Sequence, residues 1–363
     1  MQSLLLSVQM ACKTISNLVN RAGLAYGVTD RSTAKDDESY RTDGRYYSMK
    51  RLDQLSTRVL RNALRFTGNV HMVTPAANVE HEQPAEHQPG VLIASAIDSN
   101  YVACLDPLDG SGNADASICT GTVFGVFEQD QQGIDNVVVG GSDDSFEASE
   151  QEQLVQSVLQ PAQNMKAAGY CLYSSATVLV FTLEKGKVMG FTLDPQINEF
   201  VLTHPDLSIP ARGNVYSCNE ANSEGWPEGF RDYLRALKTG NNQSGTRYAH
   251  RYVGSMVGDI HRTLLYGGIF CYPADTLQHP RGNLQLLYKT APMSFVVSQA
   301  GARAIDGETG NVLSVQPERV HQKSPCFIGS PLDVAELETY LEQQKEEEGE
   351  DDEEEEGDGS SDE

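Results

Sequence analysis

Tyr101-Val-Ala-Cys-Leu-Asp-Pro-Leu-Asp-Gly-Ser-Gly-Asn113 decides how this 363-residue chain is read. The apolar, β-type run from Tyr101 to Leu105 drives into a turn that carries Asp106 and Asp109 three positions apart. Pro107 fixes φ there, and Gly110 and Gly112 loosen the backbone just behind it. The two carboxylates and the Leu108 carbonyl can converge on Mg²⁺, while the amides of Gly110 and Ser111 point at a phosphate. An Asx-type turn with a proline accounts for a bare Asp-Pro-x-Asp equally well. The strand before the turn and the Gly-Ser-Gly after it favour the cation site.

These residues carry a resemblance. Asp106-Pro-Leu-Asp-Gly-Ser111 resembles the metal-site signature of fructose-1,6-bisphosphatase and its inositol-phosphatase relatives. Arg251-Tyr-Val-Gly-Ser-Met-Val-Gly-Asp-Ile-His-Arg-Thr-Leu-Leu-Tyr-Gly-Gly-Ile-Phe-Cys-Tyr-Pro273 resembles the sugar-phosphate segment of fructose-1,6-bisphosphatase in particular, as does Tyr216-Ser-Cys-Asn-Glu220. Gly169-Tyr-Cys-Leu-Tyr-Ser-Ser175 and Ala291-Pro-Met-Ser-Phe295 look closer to the plastid branch than to the animal branch. The likeness runs from about Leu4 to about Leu341. It implies an α/β protein with the layered α-β-α-β-α sugar-phosphatase fold and two sheet-containing domains. Residues 1–203 would carry the metal motif and 204–344 the sugar-phosphate site, with the boundary near the Pro205, Pro210 and Gly213 cluster. The same resemblance implies a homo-oligomer or larger assembly and the chloroplast stroma as setting, or otherwise the cytoplasm, not secretion.

By resemblance, Asp53 in Lys50-Arg-Leu-Asp-Gln-Leu-Ser56 orients the attacking water. Asn219, Tyr252 and Tyr272 would hydrogen-bond the 6-phosphate, Met256 would line the sugar pocket, and Arg251 would reach a neighbouring subunit's site. The chemistry suits these parts, since Tyr and Asn are neutral donors and Arg forks onto phosphate. Without the surrounding motifs, Asp53 reads as a solvent-facing helix residue and the tyrosines as core aromatics.

The departures are as informative as the matches. Where the family has two consecutive glutamates after a strand, this chain reads Val73-Thr-Pro-Ala76, so Pro75 and Ala76 replace both carboxylates. The family pattern Lys-Leu-Arg-Leu-Leu-Tyr-Glu becomes Asn283-Leu-Gln-Leu-Leu-Tyr-Lys289. Asn283 and Gln285 each lose a phosphate-binding charge, and Lys289 reverses the charge of a metal ligand. Glu80, His81, Glu82, Glu86 and His87 lie in a Pro-rich polar stretch that reads better as a solvated loop than as a replacement metal cluster. What remains supports at most one weak Mg²⁺ site, or none. Losing one charged group from such a site commonly costs about 10² to 10³-fold in rate. Lys289 is expected to lie against Asp106 and Asp109 and to stand in for the missing cation. Two function classes follow: a degenerate family member that binds sugar phosphate or serves a structural or regulatory role, and a slow or altered phosphatase.

The rest of the composition sets bounds. Hydrophobic residues make up 39% and the net charge is −24. Residues 346–363 hold 13 Asp or Glu and no Lys or Arg, and without them the net charge is −11. Residues 345–363 are therefore expected to be a disordered tail, either solubilising or docking on a basic partner; nucleic-acid binding is disfavoured. No run suggests a membrane span. The seven cysteines form no CxxC pair and read as small buried hydrophobes in a reducing compartment. The 129–160 insertion, where plastid enzymes carry redox cysteines, contains none, so switching through it is expected to be lost. Apolar spacing predicts helices from Leu4 to Val19, over 50–66 and over 228–238, with a mobile loop over 27–49.

Overall fold

The computed structural model describes residues 1–22, 40–65, 70–74, 91–93, 100–129, 157–308 and 310–358. Pro75, Ala76, Glu80, His81, Glu82, Glu86 and His87, and most of the 129–160 insertion, lie outside them. The chain opens on helix α1 (Gln2–Asn20), followed by α2 (Tyr40–Arg65). An eight-stranded sheet follows: β1 (Val70–Thr74), β2 (Val91–Ile93), β3 (Tyr101–Asp109), β4 (Thr120–Glu128), β5 (Met165–Tyr173), β6 (Thr177–Leu183), β7 (Met189–Asp194) and β8 (Glu199–His204). Its order is β2-β1-β3-β4-β5-β6-β7-β8, antiparallel except for the parallel pair β1 and β3.

Both faces of the central strands β3, β4 and β5 are buried, and their period-2 alternation divides the side chains between two cores. Val102, Cys104, Val123, Phe127, Ala168 and Tyr170 enter one core, while Ala103, Leu105, Phe124, Val126, Ala167 and Cys171 enter the other. The second core is closed by Leu4, Val8, Cys12 and Ile15 of α1 and by Leu52, Leu60 and Leu64 of α2. Their helical spacing is what the sequence predicts for one apolar face.

A second sheet is built from β9 (Val215–Ser217), β10 (Ala249–His250), β11 (Ile269–Tyr272), β13 (Arg303–Ile305) and β15 (Cys326–Gly329), in the order β10-β9-β11-β15-β13. The short pair β12 (Leu284–Gln285) and β14 (Lys323–Ser324) stands apart. Helices α4 (Met256–Tyr266) and α5 (Ala291–Gln299) lie between the two sheets. Their Val257, Ile260, Met293 and Val296 share one core with the first sheet and with Phe270 and Ile328 of the second. On the far face, α3 (Glu228–Thr239) and α6 (Pro331–Asp358) cover Ile269, Cys271 and Phe327 with Phe230, Tyr233, Val334 and Leu337. The result is five layers, α-β-α-β-α, as expected. Because α5 is covered from both sides, Ala291 to Val297 are all buried, and it lacks the polar face of a surface helix.

Two segments differ from the sequence expectation. Helix α2 begins at Tyr40, inside the stretch read as a loop, and α6 continues to Asp358 through the acidic segment read as disordered. In each case an amphipathic part docks on the core and supplies the costly nucleus. Extension then costs little per residue, and Glu is a good helix former. Among the described residues no helix is long and apolar enough to cross a membrane.

Gly169 of β5 sits where no side chain fits. A Cβ there would lie 2.4 Å from Cζ of Phe124, 2.6 Å from Cβ of Phe181 and 2.6 Å from the Val180 carbonyl oxygen. Gly169→Ala is expected to cost about 1–3 kcal/mol by overpacking. A lower denaturant midpoint at unchanged slope is the expected reading in urea unfolding.

Candidate active site

In a regular strand, residues three apart point to opposite faces, so Asp106 and Asp109 should not meet. They do meet, because β3 is irregular at that point. Asp106 pairs with Val123 and Asp109 with Gly121, so three steps along β3 match two along β4. This bulge accommodates Pro107, which has no N–H for the ladder. The Pro107 carbonyl accepts a hydrogen bond from the Thr122 hydroxyl at 2.8 Å. Both carboxylates are thereby turned toward one point in the interior.

That point is occupied by an ammonium. Lys289 Nζ lies 3.0 Å from Asp106 Oδ2 and 3.0 Å from Asp109 Oδ1. Lys289 is carried by a π-helical turn, Leu286–Thr290, that packs against β3 and precedes α5. Such turns, with one residue more than an α-turn, recur at functional sites. Burial alone would lower the Lys289 pKa, but the charges of Asp106 and Asp109, and the hydrogen bonds to both, hold it above the usual lysine range. Burial pushes the Asp106 carboxyl above the carboxylate range, and the charge of Lys289 opposes that rise.

The other oxygen of Asp109 faces the start of α4. Oδ2 accepts from the Ser255 hydroxyl at 3.4 Å and from the Val257 amide at 3.3 Å. An anion is favoured at that helix end. Gly110 must be glycine there on two counts: its φ is +70°, and a Cβ would lie 3.1 Å from Cβ of Ser255.

Asp53 approaches from α2, with Ser111 hydrogen-bonded to it. Burial raises its carboxyl to about 7, Ser111 and Lys289 oppose the rise, and the charges of Asp106 and Asp109 add to it. Asp53 is therefore part of the acidic centre and not an ordinary helix-surface residue. The Leu108 amide donates to Asp106.

Of the residues expected at a sugar phosphate, Met256 lies in the core between the sheets, and Tyr252 and Tyr272 pack against that core. Burial, then the neighbouring Tyr272, pushes the Tyr252 hydroxyl up to about 12. Asn219 leads into the turn Glu220–Gly225. Arg251 is exposed and its guanidinium donates to the His250 carbonyl at 2.8 Å. Asn283 accepts a hydrogen bond from Lys323 Nζ at 2.9 Å, and Lys323 pairs with Gln285 across β12 and β14. Sequence reading missed Lys323, Ser255 and Val257. Ser255 just before an apolar run is a legible N-cap signal, but its cross-chain partner Asp109 is not. Nothing local marks Lys323.

The donor set does not fit a hard cation with Lys289 in place. Both inward carboxylate oxygens already hold a positive charge at hydrogen-bond distance. A Mg²⁺ would have to displace that ammonium or share the site with it.

Comparison with known proteins agrees with this layout. The sequence profile of the fructose-1-6-bisphosphatase N-terminal domain matches residues 1–205, and that of the C-terminal domain matches residues 209–342. A chloroplastic fructose-1,6-bisphosphatase of Brassica napus is 42% identical over 92% of this chain and 75% of its own length. A cytosolic one from Oryza coarctata is 38% identical over 94% of this chain and 88% of its own. The structure of the Leishmania major fructose-1,6-bisphosphatase in holo form superposes with a TM-score of 0.74 and 34% identity, covering 93% of this chain and 92% of that one.

Two outcomes are expected from the site's electrostatics. Lys289→Ala strands Asp106 and Asp109 in the interior and is expected to cost about 3–5 kcal/mol at neutral pH without metal. Millimolar Mg²⁺ should then raise the melting temperature of the variant and leave that of the unmodified chain unchanged in differential scanning fluorimetry. Asp53 has a folded-state pKa above its unfolded value, so the folded state holds its proton more tightly. Its contribution is fully present below about pH 4 and is lost as pH rises through about 7. Asp53→Asn should remove that part of the slope of stability against pH in denaturation series from pH 4 to 8.

Proposed function

Since this chain belongs to the fructose-1,6-bisphosphatase family, on its plastid-type branch, we propose that it retains the family's sugar-phosphate fold while Lys289 takes the place of the catalytic metal. The family reaction is Mg²⁺-dependent hydrolysis of the 1-phosphate of fructose 1,6-bisphosphate. In this reading the chain is catalytically impaired and acts as a sugar-phosphate-binding, structural or regulatory member of carbohydrate metabolism in the chloroplast stroma. The single observation that carries it is the 3.0 Å contact of one ammonium with both motif carboxylates. A bound divalent ion lowers the pKa of attacking water and neutralises charge on the transferring phosphoryl group. An ammonium can offset the carboxylate charge but has no coordination position for a water. Pro75 and Ala76, in place of two glutamates, remove further carboxylates.

The binding half has kept more of its chemistry. Tyr252, Tyr272 and Asn219 remain available to a phosphate, and Lys323 brings a cation to Asn283, whose position has lost one. Self-association is part of the same reading, with Arg251 exposed in the manner needed to reach a neighbouring copy. One observation favours a slow but active enzyme: a carboxyl at about 7 in Asp53 is suited to take a proton from water near neutral pH.

Phosphate release from fructose 1,6-bisphosphate, with and without excess Mg²⁺, decides between the two. The unmodified chain is expected to be silent. The triple variant Pro75→Glu, Ala76→Glu, Lys289→Glu is expected to show Mg²⁺-dependent turnover. Clear Mg²⁺-dependent turnover by the unmodified chain would overturn the non-catalytic reading.

A further inference from the structure

Away from the carboxylate pair, three side chains of different chemistry converge at the edge of the second sheet. Cys218 follows β9, Glu220 lies two residues on, and His250 ends the neighbouring strand β10. One ligand atom from each, the thiol, a carboxylate oxygen and a ring nitrogen, all lie within 4.8 Å of one another. The parallel pairing of β9 and β10, with His250 opposite Tyr216, is what brings them together from 30 residues apart.

The surroundings already orient these groups as ligands. His250 Nε2 lies 2.9 Å from the Cys218 carbonyl oxygen. A carbonyl can only accept, so Nε2 donates in this bond, and a cation would take the ring nitrogen that carries no proton. Histidines that bind metal commonly fix their tautomer in this way, by donating the other ring N–H to a backbone carbonyl or a carboxylate. The ring is further held by stacking on Tyr216, with centroids 5.0 Å apart. Glu220 accepts from the Tyr216 hydroxyl at 2.7 Å on Oε1 and forms an ion pair with the exposed Lys238 ammonium at 3.1 Å on Oε2, which a bound cation would displace. Each carboxylate oxygen keeps a further lone pair. Cys218 is buried, Glu220 half-buried and His250 exposed, so the cluster opens to solvent on one side only.

We propose that Cys218, Glu220 and His250 form a site for a borderline-soft divalent cation, zinc foremost, with a fourth position open. Sulfur, nitrogen and one carboxylate oxygen suit tetrahedral Zn²⁺ and do not suit Mg²⁺ or Ca²⁺. Binding replaces the Cys218 S–H bond with a metal–thiolate bond and releases one proton to solvent. One thiolate and one carboxylate then balance the two charges of the ion. Asn219 and Arg251, chain neighbours of the ligands, belong to the sugar-phosphate segment, so an occupied site would sit beside that pocket. It is independent of whether the Asp106–Asp109 centre is catalytic.

Cobalt(II) titration of the purified full-length chain tests this. About one equivalent is expected to bind with an intense near-ultraviolet thiolate-to-cobalt band and tetrahedral visible bands, and Zn²⁺ should displace it. Cys218→Ser should lose the charge-transfer band, and His250→Gln should weaken binding by more than about 10-fold. No thiolate band, or a band that survives in a folded Cys218→Ser, would overturn the site. The aspartate centre has only oxygen ligands and cannot supply such a band. Should the Cys218 variant fail to fold, zinc-edge X-ray absorption of the unmodified chain tests the site independently. One sulfur at about 2.3 Å supports the site, and a shell of nitrogen and oxygen alone refutes it.

Discussion

The contact of one lysine ammonium with two buried aspartates is the interaction around which the rest of the site is arranged. Moving three ionised groups out of water is expensive, and attraction between them offsets that cost only when the geometry is good and the remaining lone pairs are used. Here the distances are favourable at both carboxylates, and the lone pairs are used at Asp109, while Asp106 Oδ2 relies on the ammonium charge. Lys289 is equidistant from the two carboxylates, and the outer oxygen of Asp109 is taken up by Ser255 and Val257. A centre of two bare carboxylates would call for a metal ion. Lys289 supplies one positive charge from within the chain and so offsets part of the charge of the two carboxylates.

Asp109 also couples the two halves of the molecule. It ends a strand of the first sheet, and its carboxylate caps α4, the helix lying between the sheets. Met256 of the sugar-phosphate end lies in the first turn of that helix. Asp259, buried in the same turn, accepts from the Val253 and Gly254 amides and so holds the loop that follows Tyr252. Local rigidity follows from the layering, because α4 and α5 are covered on both sides and have little room to shift.

The family's substitutions and the second-sheet cluster point the same way. Lys289 brings a positive charge to the Asp106–Asp109 pair, and Lys323 brings one to Asn283 from a neighbouring strand. At the far edge of the second sheet, Cys218, Glu220 and His250 gather donors that the metal chemistry of the family does not use.

The sequence by itself determined much of the centre, and through its family resemblance the layers. Helical stripes in α1 and α2, the apolar run into the Asp106–Ser111 turn, and the turn itself were all readable, because each depends on residues close together in the chain. The partnership of Lys289 with Asp106 and Asp109 was expected too, since opposite charges brought to one position must meet or be left unpaired. Tertiary structure alone decided how two aspartates three residues apart face the same way, which rests on a bulge against β4. It also decided which strand supplies Lys323, and that the pKa of Asp53 is raised by burial among other carboxylates. The same is true of α2 and α6, which extend into segments whose composition reads as loop or tail. In each of these cases the deciding partner is dozens of residues away, and local propensity carries no information about it.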